Sequence, residues 1–329
     1  MNLEATSNVE DKNINNATPE NNEIVEEDWS SIIQAENHAL LPSYGEEIIS
    51  LGSYPPSYLK VKCLTEKELS PLDIVNSHST CAHDATGHHI WLASYFFLDA
   101  LVRPIQNEKM DLIQMRKETF SQKRVLELGC GTGILGLAII VNARSIKSTF
   151  ESTEINCNFS PDIASPIKMI LTDADPDALE LCKLNCEINN LDLNNESICI
   201  RPLAWGTECW DTPKTEKDGI KDEKKVLLKG SFDTVIAADV VYELEALPPL
   251  MKSVSEALSS NGNFLLSHVP RFASTSVETL IVKIANEVGL RMKEMFKPDD
   301  VYNASDEKHK DVLEMMKEKK AVLFLFEKC

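Results

Sequence analysis

A glycine-rich turn between an apolar strand and a helix is the strongest chemical signal in this sequence. Residues 125–133 run Val-Leu-Glu-Leu-Gly-Cys-Gly-Thr-Gly, and an apolar helical pattern follows from Ile134. Glycine adopts positive φ at no steric cost, so such a turn lets the backbone pass close to a ligand. The amide groups at the start of the next helix favour an anionic group. The turn, with its flanking strand and helix, therefore predicts a site for a nucleotide-like ligand.

The spacing of these glycines excludes the fingerprint of NAD-binding proteins. That fingerprint is G-x-G-x-x-G, and counted from Gly129 its last position is Ile134. The pattern is instead E-x-G-x-G-x-G, starting at Glu127. It resembles motif I of the class I S-adenosylmethionine-dependent methyltransferases, which use the same crevice at the strand carboxyl ends. The ligand of that class has no pyrophosphate.

An acidic residue at the end of the second predicted strand supports the same site. A carboxylate at that position can accept hydrogen bonds from both ribose hydroxyls of a nucleoside. Asp173 lies 44 residues after Gly129, and the 23-residue segment 144–166 accounts for the excess over a spacing of about 20 for ribose-binding acids. We expect Asp173 to bind the cofactor and Asp175 to cap the next helix. The alternative is that both acids only cap that helix.

Three further motifs narrow the resemblance. Gly-His-His-Ile-Trp at 87–91 precedes the first helix, Leu-Ala-Trp-Gly at 203–206 follows the third strand, and Asp-Val-Val-Tyr at 239–242 ends the fourth. Together with motif I they resemble the seven-strand protein-lysine methyltransferases called family 16, the methyltransferase-like proteins with a D-x-x-Y motif. The resemblance covers residues 85–329 and is much more specific than motif I alone.

The resemblance implies a fold, a cofactor and a role for each motif residue. The fold is a doubly wound α/β sheet of seven strands, Rossmann-like, in which residues 290–296 and 321–326 form a final antiparallel pair. The cofactor is S-adenosyl-L-methionine, and no metal is needed. The catalytic residues would be Asp239 and Tyr242, at the methyl-transfer end where the substrate enters. The cofactor-binding residues would be Trp91, Glu127 and Gly129 near the methionine part, Gly131 in the same loop, Asp173 at the ribose and Trp205 or its neighbours at the adenine.

The implied reaction is an in-line transfer of a methyl group to the ε-amine of a protein lysine. The ammonium must first lose its proton, and a desolvated, partly aromatic channel lowers its pKa from the free value of about 10.4. Asp239 would guide the cation, while Tyr242 would offer a ring wall and a hydroxyl. The alternatives are that Asp239 caps a strand end, that Tyr242 only packs, and that Trp91 and Trp205 are core residues.

A histidine-rich segment offers a competing hypothesis, a metal site. Its spacing is H-x2-C-x-H-x4-H-H, which matches no standard zinc pattern, so we predict no metal. The segment contains His78, Cys81, His83, Asp84, His88 and His89. A second open question concerns His-Val-Pro-Arg at 268–271, after the fifth strand. Those residues line the substrate side or form an ordinary loop, and the sequence leaves both interpretations open.

Alternating short apolar runs and helical patterns must position these motifs. This alternation predicts a mainly parallel sheet covered on both faces. The predicted helices are 90–102, 134–141, 176–188, 247–258 and 277–288. The predicted strands are 125–128, 167–171, 198–200, 232–238, 264–268, 290–296 and 321–326.

The remaining segments suggest three regions. Residues 1–28 hold eight acids and one lysine, and we predict a disordered acidic tail there. Residues 29–84 form an N-terminal extension with two short strands around a Pro-Pro pair, and 85–329 form the methyltransferase domain. Within that domain, the insertion 144–166 and the charged loop 211–231 are interpreted as solvated, mobile loops, with a functional lid as the alternative.

Composition limits the partners and the compartment. Lys+Arg is 33 against Asp+Glu 52, a formal charge of −19, which disfavours nucleic acid and attracts a basic protein. The sequence shows no signal peptide and no membrane-spanning run. Nine scattered cysteines indicate a reducing compartment, cytoplasm or nucleus, and we expect a monomer. The alternatives to protein-lysine methylation are methylation of a small molecule, or of an Arg or His side chain, and a cofactor-binding interaction module.

Overall fold

The structure, a computed structural model, describes ten stretches of the chain. These are residues 44–51, 57–64, 85–102, 123–152, 167–193, 198–207, 210–211, 227–271, 277–304 and 307–329. The strands within them are β1 (Tyr44–Ser50), β2 (Tyr58–Leu64), β3 (Arg124–Leu128), β4 (Lys168–Asp173), β5 (Ile198–Pro202), β6 (Phe232–Ala238), β7 (Leu258–His268), β8 (Leu290–Phe296) and β9 (Val322–Lys328).

The helices connect these strands in the predicted alternation. They are α1 (Leu92–Leu101), α2 (Ile134–Ser152), α3 (Pro176–Ile188), α4 (Leu247–Ala257), α5 (Val277–Glu287), α6 (Pro298–Val301) and α7 (Glu307–Glu318). Short 3-10 turns form at Ala85–His88 and Leu244–Ala246. Within the described stretches, none of the helices combines the length and apolarity that a membrane crossing requires.

One seven-strand sheet organises the protein, in the order β5-β4-β3-β6-β7-β9-β8. The strands from β5 to β7 run parallel, and β9 lies antiparallel between β7 and β8. The predicted doubly wound sheet and its final antiparallel pair are therefore confirmed. The chain reverses its direction of winding between β3 and β6, which opens a crevice at the carboxyl ends of those strands.

Two apolar layers cover the faces of this sheet, because side chains alternate along each strand. Val125 packs in the layer that contains α1, α2 and α3, whereas its neighbour Leu126 packs in the layer that contains α4 and α5. β9 shows the same alternation, with Leu325 in the first layer and Phe324 in the second. Burial on both faces explains why the central strands of the sheet appear in the sequence as largely apolar runs.

The two strands predicted in the N-terminal extension are present and pack on α3. β1 and β2 pair antiparallel. The amide of Asn185 in α3 accepts a hydrogen bond from the Lys62 backbone N–H (2.7 Å) and donates one to the Lys62 carbonyl (3.1 Å). Asn189 makes the same two bonds with Lys60. Backbone groups along the free edge of β2 are therefore hydrogen-bonded by two asparagine side chains that lie one helical turn apart.

The start of α1 is held at the edge of the sheet where β7 ends. The Ser267 hydroxyl donates to the Ala93 carbonyl (2.7 Å), next to the first residue of α1. At the other end of the helix, the Tyr302 hydroxyl donates to Asp99 (2.6 Å). Trp91, which directly precedes α1, is thereby placed beside the carboxyl end of β7.

The structure differs from the sequence analysis in the extent of some elements. α2 continues to Ser152, so the first part of the predicted insertion 144–166 is helical. Residues 144–152 contain no Gly or Pro, and a helix already formed propagates through such a run at little cost. The remaining insertion residues, most of the charged loop and the tail 1–28 lie outside the described residues.

The last connection of the sheet contains two helices that the sequence analysis left unassigned. In α7, Leu313 and Met316 are buried on one side, while the adjoining residues are mostly charged. So narrow an apolar stripe gives a weak periodic signal.

β7 begins at Leu258, directly after α4, whereas the sequence predicts a start at residue 264. In this added part, β7 has a register shift against β6 and a positive φ at Asn261.

Candidate active site

Predicted site residues from four different strands lie at one edge of the sheet, because they stand at or just after the carboxyl ends of those parallel strands. Adjacent parallel strands present all their carboxyl ends on the same side. The glycine turn follows β3, and Asp173 ends β4. Trp205 follows β5, and Asp239 follows β6. Residues distant in sequence therefore gather along the crevice.

The glycine turn depends on positive φ at all three of its glycines, with values of 67° at Gly129, 50° at Gly131 and 80° at Gly133. A Cβ on Gly131 would lie 2.5 Å from the carbonyl oxygen of Gly87. The glycine at 131 is therefore required by the protein's own packing, because the segment around Gly87 lies directly on the turn. From the sequence alone, the glycines are explained only by the approach of a ligand.

Gly129 is the point where the segments after three strands meet. A Cβ there would lie 2.8 Å from Val240 Cγ1 and 3.1 Å from the ring of Trp205. Trp205 is partly exposed, and its ring lies against the turn. The structure thus brings Trp205 to the glycine turn as an aromatic surface at the crevice. Its contact with adenine stays a prediction.

Asp173 connects the glycine turn to the end of β4. Its carboxylate accepts hydrogen bonds from the backbone N–H of Gly131 (2.9 Å) and of Asp175 (3.0 Å). Burial raises its pKa, and these hydrogen bonds oppose the rise. Asp175 accepts from the backbone N–H of Asp177 (2.9 Å), which confirms its prediction as the cap of α3.

Glu127 is a buried acid in β3, beneath the start of α2. Its side chain is almost fully buried and accepts a hydrogen bond from the Gly136 backbone N–H (3.0 Å). Its pKa is raised to about 8, mainly by burial and to a smaller extent by the nearby charge of Asp173, against the opposing effect of that bond. The carboxyl is therefore mostly protonated at neutral pH in the cofactor-free protein.

Glu127→Gln is expected to remove a pH-dependent loss of stability. The folded pKa lies above the unfolded one, so this group contributes most stability at low pH and loses it as pH rises from 4.5 to about 8. The free energy of unfolding of the wild type should fall by about 2–3 kcal/mol more than that of the variant between pH 5 and pH 7. Urea unfolding of the cofactor-free proteins measures this difference. Glu180→Gln, at an exposed position, is the matched control, and a parallel loss in wild type and Glu127→Gln would contradict the burial effect.

Asp239 combines a buried carboxylate with an unusual backbone. Its φ is 55°, and its backbone N–H donates to the Ser267 carbonyl (3.0 Å). The side chain is 4% exposed, and its Oδ2 lies 3.5 Å from Nη2 of Arg271. Its Oδ1 is buried with no hydrogen-bond partner among the described residues. Burial raises the pKa of Asp239, and the charge of Arg271 opposes the rise.

Two aromatic rings lie beside the guanidinium group that approaches this carboxylate. The guanidinium carbon of Arg271 is 4.2 Å from the ring centroid of Trp91 and 5.7 Å from that of Tyr242. The Trp91 indole N–H donates to the Thr86 carbonyl (2.8 Å), which fixes the orientation of the ring. Trp91, Asp239 and Tyr242 thus surround a cation, and we call these three residues the cation cage.

The segment that the sequence left open, 268–271, belongs to this site. His268 is 1% exposed, and neither ring nitrogen has a hydrogen-bond partner among the described residues. Burial and, to a smaller extent, the charge of Arg271 lower its pKa to about 4, so the imidazole is neutral at pH 7. The sequence signal for Arg271 was its place just after a parallel strand, but its contacts could not be predicted.

The histidines of the metal hypothesis that the structure describes have other neighbours. His88 Nδ1 is 2.8 Å from the Tyr44 hydroxyl, and Nε2 is 3.6 Å from Asp175. The ring of His89 packs edge-on against Trp91, with centroids 5.7 Å apart. The other four candidate ligands lie outside the described residues. Among all the residues that the structure describes, no group of three or more His, Cys, Asp or Glu side chains is arranged to hold a metal ion.

Comparison with known proteins finds a matching family model and several relatives of this chain. A model of the family described as lysine methyltransferases matches residues 68–284, more than half of the chain. The chain is 26% identical over 213 residues to the protein-lysine N-methyltransferase EFM3 of Saccharomyces cerevisiae, covering 64% of this chain and 51% of that protein. It is 23% identical over 155 residues to the protein N-lysine methyltransferase METTL21A of Danio rerio, covering 47% and 53%. The chain spans about half the length of the curated relatives it matches.

Among solved structures, the chain is similar to a geranyl diphosphate C-methyltransferase from Streptomyces coelicolor A3(2), solved with Mg2+, geranyl diphosphate and S-adenosyl-L-homocysteine. The TM-score is 0.39 at 11% identity, and the match covers 72% of this chain and 78% of that one.

Proposed function

The chain belongs to the lysine methyltransferase family, and from this premise we propose that it transfers a methyl group from S-adenosyl-L-methionine to the ε-amine of a lysine in a protein. The observation that carries the proposal is the cation cage. A buried carboxylate and two aromatic rings surround a cation at the carboxyl end of β6, next to the glycine turn that follows β3. Such a cage suits the amine end of a lysine side chain.

The residues at the crevice fit the proposed cofactor. Each carboxylate oxygen of Asp173 accepts one backbone N–H, which leaves lone pairs for the two ribose hydroxyls. Trp205 offers a ring surface beside Gly129 for the adenine. The Oδ1 atom of Asp239, which has no hydrogen-bond partner among the described residues, is a buried acceptor at the end of the crevice where the substrate would enter. When bound, the cofactor supplies an activated methyl group on a positively charged sulfur.

The cage would bind the lysine and prepare its amine. At pH 7 only about one free lysine in a few thousand is neutral, given a pKa of about 10.4. The rings of Trp91 and Tyr242 exclude water from the amine, and this desolvation lowers its pKa. Asp239 accepts a hydrogen bond from the amine and so directs the nitrogen lone pair. Holding the amine in line with the methyl group can account for up to about 7–11 kcal/mol of the barrier.

Partner, domain organisation and compartment are part of the same proposal. The formal charge of −19 favours a basic protein substrate over nucleic acid. We propose that residues 1–28 are an acidic tail that adds to this attraction, that 85–329 form the catalytic domain and that the enzyme is a monomer. The six described cysteines are free thiols, in keeping with a reducing compartment such as cytoplasm or nucleus.

Labelling of a cell extract tests the proposed function. The purified chain is incubated with extract and tritiated S-adenosyl-L-methionine, and the products are separated by gel electrophoresis. We expect label in a protein band, recovered as methyl-lysine after acid hydrolysis. Asp239→Asn should lose this label, whereas Asp299→Asn, at a surface ion pair with Lys317, should keep it. Label only in soluble metabolites, in methyl-arginine or methyl-histidine, or in no product would overturn the proposal.

A further inference from the structure

We propose that Arg271 occupies the place of the substrate's amine, closes the cation cage in the free enzyme and must leave it before a lysine enters. This inference deepens the proposed function and rests on it. It treats Arg271 as an internal competitor for the cage. The alternative is a merely structural role, in which Arg271 stays in place to neutralise Asp239.

The contacts of Arg271 are those that the lysine amine would need. Its guanidinium carbon faces the ring of Trp91 at 4.2 Å and that of Tyr242 at 5.7 Å, and its Nη2 lies 3.5 Å from the carboxylate of Asp239. Counted from Cα, the guanidinium carbon of arginine is the fifth side-chain atom, and so is Nζ of lysine. A lysine at position 271 would therefore place its nitrogen about where this carbon lies, between the rings and the carboxylate of the cage.

The charge and burial of the cage explain why a cation fills it. The Asp239 side chain is 4% exposed, and a buried carboxylate is costly without a countercharge. The Arg271 side chain is 30% exposed, so the cage opens to solvent on the side of Arg271. A lysine of another protein would approach from that side and replace Arg271 as the countercharge of Asp239.

The attachment of Arg271 allows it to move without disturbing the sheet. β7 ends at His268, so Arg271 follows the last paired residue and lies beyond the ladder that joins β7 to β6 and β9. An internal ligand on a short tether competes as if it were present at a millimolar concentration. Loss of this competitor should strengthen lysine binding by about tenfold, which corresponds to about 1.4 kcal/mol.

Methylation at position 271 itself tests the placement without knowledge of the substrate. Arg271→Lys puts a lysine nitrogen at the centre of the cage. Its neutral amine attacks the methyl carbon, the carbon–sulfur bond breaks with its electron pair on sulfur to give S-adenosylhomocysteine, and the extra proton passes to solvent. We expect mass spectrometry to find at least one methyl group at position 271, at a rate independent of enzyme concentration. Arg201→Lys, beside the carboxylate of Asp211, is the matched control and should stay unmethylated.

The outcomes separate this inference from the proposed function. If Arg271→Lys binds S-adenosylhomocysteine and labels a protein in extract but stays unmethylated at position 271, then Arg271 is not in the amine's place and the inference is overturned. If neither position 271 nor any extract protein is labelled, the proposed function fails and the inference fails with it.

Binding of a lysine analogue gives a second measurement that needs no methyl transfer. Calorimetry with Nα-acetyl-lysine amide, in the presence of S-adenosylhomocysteine, should show about tenfold tighter binding to Arg271→Ala than to wild type. Arg201→Ala should bind it as the wild type does. Equal or weaker binding to Arg271→Ala, in a variant that still binds S-adenosylhomocysteine, would assign Arg271 the structural role and overturn the inference.

Discussion

Asp239→Asn is expected to lower turnover by about a hundredfold per folded molecule, with little change in cofactor affinity. A loss of that size corresponds to about 2.7 kcal/mol, reasonable for one well-placed polar contact made near the transition state. Asn tolerates the positive φ of 55° at this position better than Ala does, so the substitution tests the carboxylate and leaves the backbone unstrained. The measurement is turnover on the labelled protein substrate, beside calorimetry with S-adenosylhomocysteine.

Two comparisons separate catalysis from stability at this position. Tyr242→Phe keeps the ring of the cation cage and removes its hydroxyl, so a smaller loss of turnover assigns Tyr242 the role of a wall. If Asp239 only caps the end of β6, its replacement should lower the melting temperature, and activity should follow the folded fraction. Near wild-type turnover per folded Asp239→Asn molecule would show that the D-x-x-Y motif does not act here as proposed.

Gly131→Ala is expected to abolish measurable cofactor binding. The added Cβ would lie 2.5 Å from the Gly87 carbonyl, and a non-glycine residue at φ 50° is strained in addition. The Gly87 carbonyl belongs to the backbone, and the position of a Cβ is fixed by its own backbone, so neither group can rotate away. The turn must shift, and the Gly131 N–H that donates to Asp173 shifts with it. We expect the affinity for S-adenosylhomocysteine to fall by at least about a hundredfold, or about 2.7 kcal/mol.

Gly289→Ala is the matched control for this effect. Gly289 also has a positive φ, 80°, but an added Cβ there would meet nothing within 4 Å. It should cost some stability through backbone strain and leave cofactor affinity unchanged. If both variants bind S-adenosylhomocysteine as the wild type does, the contact between the Gly87 segment and the glycine turn is not needed for the site.

The sequence by itself determined the sheet, the glycine turn and the set of site positions. Central strands are buried on both faces and largely apolar, so β6 could be predicted to the residue. The bounds of β8 could also be predicted, although this edge strand is mostly exposed and buries only its end residues, Leu290 and Phe296. The carboxyl ends of parallel strands share one edge, so Asp173 at the end of β4 and Asp239 just after β6 must lie along one crevice. These are consequences of local pattern and topology, which a sequence carries directly.

Only the tertiary structure decided which groups touch within that crevice. Contacts between distant segments depend on how helices and loops pack, and no local pattern encodes them. The packing of Gly87 on Gly131 and the burial that raises the pKa of Glu127 both arise in this way. So does the place of Arg271 in the cation cage, because the Ser267 hydroxyl holds the start of α1, and with it the ring of Trp91, beside the end of β7.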